Sequence, residues 1–190
     1  MWAFRHEDGY EYEVSVAVAR HDPSARQCFE DFLLHQHRIQ IGSSTLVNHG
    51  RLHPMWTRPS NKSRGVPMQR LEEAVDYESL PVAFGVQPIL SAVWLGLDWT
   101  DEEPLDGFSS SEQPGVYQIR VGDEVAYFGQ SMNMRHRLVT HARDPRFRGG
   151  TYRVHLMPGA RPHHLLERET DLIGAFFALR GETPAWQYRS

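Results

Sequence analysis

Glu169 is a carboxylate where the pattern calls for an apolar residue. At about 100° per helical residue, Leu165, Leu166, Leu172, Ile173 and Phe176 all fall within about 60° of it. An unpaired carboxylate on such a face is costly, so it calls for a buried arginine or a cation, unless that helix end is less buried than the pattern indicates. Glu167, Arg168 and Asp171 point away from this stripe and read as solvated charges. Arg137 and His141 stand four apart at the edge of the apolar stripe of the preceding helix. A guanidinium grips phosphate oxygens with a forked geometry, and an imidazole beside it suits phosphate chemistry. Taken alone, the same two residues also read as a pair on a helix surface. Tyr117 and Tyr127 lie on neighbouring segments, close to Gly115 and Gly129. Hairpin tyrosines are commonly core residues with a wet hydroxyl. The glycines add room for backbone or ligand to approach each ring. Gln130 and Ser131 then place polar groups at the start of a helix, where anions bind.

The elements that must position these groups are legible in the second half of the chain. Tyr117, Ile119 and Val121 alternate with Gln118 and Arg120, Gly122-Asp123 signals a turn, and Val125–Phe128 returns as the second strand of a hairpin. Residues 131–142 read as a helix with Met134, Leu138 and Ala142 on one side. A basic loop spans 144–150, Tyr152, Val154 and Leu156 alternate as a third strand, and 162–180 form a long helix. The expected order is strand, strand, helix, strand, helix. In the first half, Tyr10, Tyr12, Val14, Val16 and Val18 alternate as a strand would. Asp22-Pro23 starts a helix with Phe29, Phe32 and Leu33 at helical spacing. Residues 42–67 have loop composition, 68–77 suit a short helix, and the apolar stretch 82–97 has no diagnostic period. The Pro-, Gly-, Ser- and acid-rich stretch around 100–113 reads as a linker. It divides an N-terminal accessory region, 1–99, from a second domain, 114–190.

Composition narrows the class. The chain has 190 residues, 40 % of them apolar, enough for a packed core. No apolar run is long enough to cross a bilayer, and the charged start MWAFRHEDGYEYE does not resemble an export signal, so no membrane partner and a cytoplasmic location are expected. One cysteine, Cys28, excludes an internal disulfide and a cysteine-based zinc cluster. The net charge of −4 hides a sorting: residues 113–190 hold 11 Arg against 7 acids, while 1–112 hold 9 basic residues against 17 acids. No acid occurs between Asp31 and Glu72, a stretch that carries Arg38, Arg51, Arg58, Lys62, Arg64 and Arg70. It reads either as a phosphate-contacting segment or as a loop neutralised by the acidic block that follows.

Together the residues of the second half resemble the GIY-YIG nuclease family. The match runs through Gly115-Val116-Tyr117, then Tyr127-Phe128-Gly129-Gln130-Ser131, then Asn133-Met134-Arg135-His136-Arg137-Leu138 and His141, and ends on Glu169, over residues 113–188. The resemblance implies an α+β fold: a small three-stranded antiparallel sheet flanked by helices, joined here to an N-terminal mixed α/β region. It implies hydrolysis of a phosphodiester with one divalent metal, Mg²⁺ or Mn²⁺, bound by Glu169. The catalytic set it implies is Tyr117, which activates water, Tyr127, which orients it, Arg137 on the phosphate, His141 on a tyrosine or the phosphate, and Glu169. Gln130, Ser131, Asn133, Arg135, Arg143, Arg146 and Arg148 would contact DNA, with Gly115, Gly129 and Gln187 in support. Gln187 stands where many members carry an asparagine. The resulting expectation is a DNA endonuclease serving restriction or DNA repair, acting as a homodimer if it cuts both strands. The rivals are a catalytically silent DNA-binding or protein-interaction module of the same fold, and a nuclease toxin.

Overall fold

The computed structural model describes residues 11, 16–18, 22–45, 78–107 and 111–189. Three helices, α1 (Pro23–Ile41), α2 (Met134–Ala142) and α3 (Pro162–Arg180), enclose a sheet of β1 (Glu103–Pro104), β2 (Gly115–Val121), β3 (Glu124–Ser131) and β4 (Thr151–Leu156). The sheet is antiparallel throughout, in the order β1-β4-β2-β3. The order β2, β3, α2, β4, α3 is the one the sequence predicts. The fourth strand is a correction to the expected three. It comes from the stretch read as a linker, whose Leu105 is buried in the core. Two residues, one of them proline, are too few to show alternation.

The sheet is covered on both faces. Tyr117, Ile119, Ala126, Tyr152 and Val154 pack with Met134, Leu138 and Phe147 on one side. Val116, Val125 and Phe128 pack with Leu165, Leu172, Ile173 and Phe176 of α3 on the other. Ala83, Trp94, Leu95, Leu97 and Trp99 belong to this second cluster, so the described part of the first half is built into the same core. The apolar stretch 82–97 is irregular apart from a short 3₁₀ turn, Trp94–Gly96. Arg153 holds it down: its guanidinium donates to the carbonyls of Ser91 and Ile89 and lies 4.6 Å over the Trp99 ring.

Helix α1 begins where Asp22-Pro23 predicts, with the Asp22 carboxylate accepting from Ala25 N at 2.7 Å. Its buried face is not the aromatic one. Cys28, Asp31, His35 and Arg38 are buried, Phe29 and Phe32 are half-buried, and Leu33 is exposed. The polar face meets α3, where Asp171, Glu167 and Arg168 are buried too, which overturns their reading as solvated charges. Arg38 Nε donates to Asp171 Oδ1 at 2.9 Å, and Nη1 lies 3.2 Å from Glu167 Oε1. Asp171 also accepts from Ala83 N, and Glu167 from Ser44 Oγ, Ser79 Oγ and Leu80 N. A Cβ at Gly174 would lie 2.6 Å from both Asp31 O and His35 Cβ, so glycine there sets how closely the two helices approach.

Val16 and Val18 are exposed and belong to no strand; the remainder of that predicted strand lies outside the described residues. The same holds for the predicted loop beyond Thr45, the short helix at 68–77 and the basic residues from Arg51 to Arg70. No helix among the described residues is long and apolar enough to cross a membrane.

Candidate active site

The β2–β3 register pairs Tyr117 with Gly129 and Ile119 with Tyr127, which puts both phenols on one face, a diagonal step apart. Their rings stack at 6.0 Å and 27°. A Cβ at Gly129 would stand 2.2 Å from Tyr117 Oη and 2.4 Å from its Cζ. Gly129 is therefore the floor over which the Tyr117 ring lies. A Cβ at Gly115 would instead meet His155 O at 2.5 Å. The two glycines thus serve different approaches: one admits a ring, the other the backbone of β4.

Helix α2 delivers the partners. It starts three residues later than expected, because Asn133, not Ser131, is its cap: the Asn133 side chain accepts from His136 N at 2.9 Å. Gln130 and Ser131 are the last residues of β3, and Ser131 Oγ bonds both the N–H and the carbonyl of Asn133. Met134 and Leu138 point inward as predicted, but Ala142 is exposed and His141 takes the buried place. His141 Nε2 lies 2.7 Å from Tyr117 Oη, and Arg137 Nε donates to that same oxygen at 3.1 Å. The His141 ring sits 5.2 Å from that of Tyr127 and 5.0 Å, edge-on, from Phe147. Phe147 is a member of this cluster that the sequence reading did not single out; its only signal was an aromatic inside a basic loop.

Burial dominates the electrostatics. It drives the Tyr117 hydroxyl well above the usual phenol range, aided by Tyr127 and opposed by Arg137. Tyr127 is raised by burial and then by the charge of Glu169, while hydrogen bonds from Arg137 and Tyr117 pull it down. His141 is pushed down to about 4, by burial first and by Arg137 second. A neutral His141 leaves one ring nitrogen free to accept. In the tautomer with the imidazole proton on Nδ1, Nε2 accepts from the Tyr117 hydroxyl, whose oxygen also takes the Arg137 N–H.

The His141 shift has a consequence for stability. The unfolded histidine binds a proton below about pH 6.5, and the folded one only near its lowered value. Stability should thus be full above about pH 6.5 and decline as pH falls toward about 4. Denaturant melts of the wild type and His141→Gln across pH 4–7 measure this, and the variant should show a flatter profile over that interval.

Glu169 is half-buried on α3, and its charge raises both phenols, which places it in electrostatic reach of the cluster. Four of the five residues expected to do chemistry, Tyr117, Tyr127, Arg137 and His141, are thus in contact, and the fifth, Glu169, acts on them through its charge. Among the described residues no group of three or more His, Cys, Asp and Glu side chains is gathered as a metal cage. A single hard oxygen donor fits a hydrated Mg²⁺, which keeps most of its waters and takes few protein ligands.

The basic residues around the cluster differ in what they are free to do. Arg135, Arg143 and Arg148 are exposed. Arg146 is engaged by both oxygens of Asp144 and by the carbonyl of Arg189. Gln187 is buried with its Oε1 accepting from Phe128 N at 2.9 Å, so it addresses a strand edge.

No family model matches the chain, and neither a curated protein nor a solved structure matches it. The molecule is defined by its own geometry: an α+β protein in which two tyrosines, a histidine and an arginine meet within the field of Glu169.

Proposed function

We propose that the chain is a metal-dependent DNA endonuclease of GIY-YIG type that hydrolyses phosphodiester bonds. The observation that carries this reading is the convergence of Tyr117, Tyr127, Arg137 and His141 in one contact cluster, within the field of Glu169. Arg137, already directed at a phenol oxygen, has further guanidinium N–H groups for a phosphate. Arg135, Arg143 and Arg148 are exposed and would offer positive charge to a phosphate backbone. Glu169 would hold the divalent ion, which when bound supplies positive charge to the phosphate and the leaving oxygen.

The structure bears on how the two phenols share the work. Tyr117 is 0 % exposed and its oxygen is taken by Arg137 and His141, whereas Tyr127 is half-buried. Tyr127 is the phenol that meets the attacking water, and Tyr117 stands behind it. As the water oxygen bonds to phosphorus and the bond to the leaving sugar oxygen breaks, the water's proton passes to Tyr127. As it takes that proton Tyr127 gives its own hydroxyl proton to Tyr117, and Tyr117 gives its proton in turn to Nε2 of the neutral His141. This reverses the order of the two tyrosines expected from the sequence.

One observation favours the rival, a module of the same fold that holds DNA without cutting it. Burial makes Tyr117 resist ionisation. Supercoiled plasmid incubated with Mg²⁺ separates the two. The nuclease reading expects nicked or linear product, and roughly a hundredfold slower cutting by Tyr117→Phe, which cannot relay the proton. DNA bound but intact is the result of the silent module. Sequencing the ends then assigns the role: a fixed sequence for restriction, junction ends for repair, scattered ends for a toxin or general nuclease.

A further inference from the structure

β3 is an edge strand, so the outward N–H and C=O groups of alternate residues have no partner within the sheet. Two of these groups flank Tyr127, and the C-terminal segment meets both. Trp186 N donates to Ala126 O at 2.8 Å, and Phe128 N donates to Gln187 Oε1 at 2.9 Å. The segment is itself anchored beyond this clip. Tyr188 turns through a φ of 58°, a conformation non-glycine residues rarely adopt. Its hydroxyl donates to Asp31 on α1, and its carbonyl accepts from Ser24 Oγ at 3.4 Å. Arg189 O accepts from Arg146 at 2.6 Å, and Arg146 acts on His141 and Tyr127 through its charge. One short stretch thus joins α1, the outer edge of β3 and the basic turn before β4.

We infer that Gln187 is a positioning residue: with the Trp186 backbone it clips the free edge of β3 on both sides of Tyr127 and holds that phenol against Tyr117 and Arg137. A side-chain amide does this where a backbone N–H and C=O would in a further strand, and it ends the ladder after one rung. The inference rests on the reading of Tyr127 as a catalytic group, but its geometry is testable without catalysis.

The experiment compares the full-length wild type with Gln187→Met, which keeps the volume and removes the acceptor, and Gln187→Glu, which keeps an acceptor oxygen. Three quantities are measured: exchange of the Phe128 amide, the ¹³C titration of Tyr127, and cleavage kinetics on plasmid. In the wild type the Phe128 amide is protected despite its place on an edge; rapid exchange there overturns the clip without any variant. In Gln187→Met that amide exchanges at least about tenfold faster. The Tyr127 titration also moves down toward the ordinary phenol range, and kcat falls about tenfold to a hundredfold with KM unchanged. Gln187→Glu restores part of each. A Gln187→Met protein that melts earlier while the Phe128 amide and the Tyr127 titration stay as in the wild type would show a merely structural residue. If the wild type cuts no DNA, the nuclease reading fails, and exchange and titration still decide the clip.

Discussion

Replacing Arg38 by alanine should destabilise the protein by about 3–5 kcal/mol, the cost of taking from two buried carboxylates a counter-charge that Arg168, 3.3 Å from Asp171, replaces only in part. Arg38 is the hub of the α1–α3 contact. It donates to both oxygens of Asp171, to Ser44 Oγ and to the carbonyl of Leu80, and it lies against Glu167. Asp171 is 0 % exposed, so water cannot replace the lost charge. Burial pushes the Asp171 carboxyl up, yet His35 and Arg38 outweigh it and hold the group below its usual range. The sign follows: the Asp171 contribution is present above about pH 4 and is lost as pH falls through the lowered folded value. Thermal melts at pH 7 measure the Arg38→Ala effect, and a drop of roughly 10 °C is expected for a chain of this size. Changing Arg38, Glu167, Arg168 and Asp171 together to apolar residues should recover much of the loss, because Arg168, 3.3 Å from Asp171, is then not stranded either. A melting point unchanged in Arg38→Ala would mean the cluster does not hold α1 against α3.

Glu169→Gln should reduce Mg²⁺-dependent cleavage about 1,000-fold, comparable to removing a main electrostatic stabiliser of a transition state. The substitution is nearly isosteric at a half-buried position, so the melting temperature should hardly move. A second readout separates the carboxylate's roles. Glu169 is the second contributor, after burial, to the raised Tyr127 value, so its neutralisation lowers that value and makes the phenol more acidic. Loss of cutting together with an easier phenol ionisation would assign Glu169 to the cation and not to the phenol. Loss of cutting with Tyr127 unmoved would place Glu169 outside the cluster.

The parts of this arrangement that sequence shows are those with a strong local period or a distinctive residue pair. Alternation placed β2, β3 and β4, and Asp22-Pro23 placed the start of α1. The pairs Gly115/Tyr117 and Tyr127/Gly129 marked the site, and the structure adds why: the glycine opposite Tyr117 clears its ring. Partners distant in sequence were not legible. A helical wheel cannot tell a charge facing water from one facing another polar helix, so Glu167, Arg168 and Asp171 read as surface. Their partner Arg38 lies 133 residues from Asp171. Burial of Tyr117 relative to Tyr127 was equally invisible, because both alternate with apolar neighbours, and what separates them is that β2 lies inside the sheet while β3 is its edge. Gln187 is named only through the resemblance, as the residue in place of an asparagine; its capping of the β3 edge was not legible, because that depends on where residues 184–189 are laid.

The proposal stands or falls on whether this chain hydrolyses DNA at the cluster of phenols, guanidinium and carboxylate. Supercoiled plasmid should be nicked or linearised by the purified wild type in Mg²⁺, stay intact in EDTA, and stay intact with Glu169→Gln at equal concentration. Intact plasmid with a folded wild type in Mg²⁺ or Mn²⁺, or equal cutting by Glu169→Gln, would contradict it.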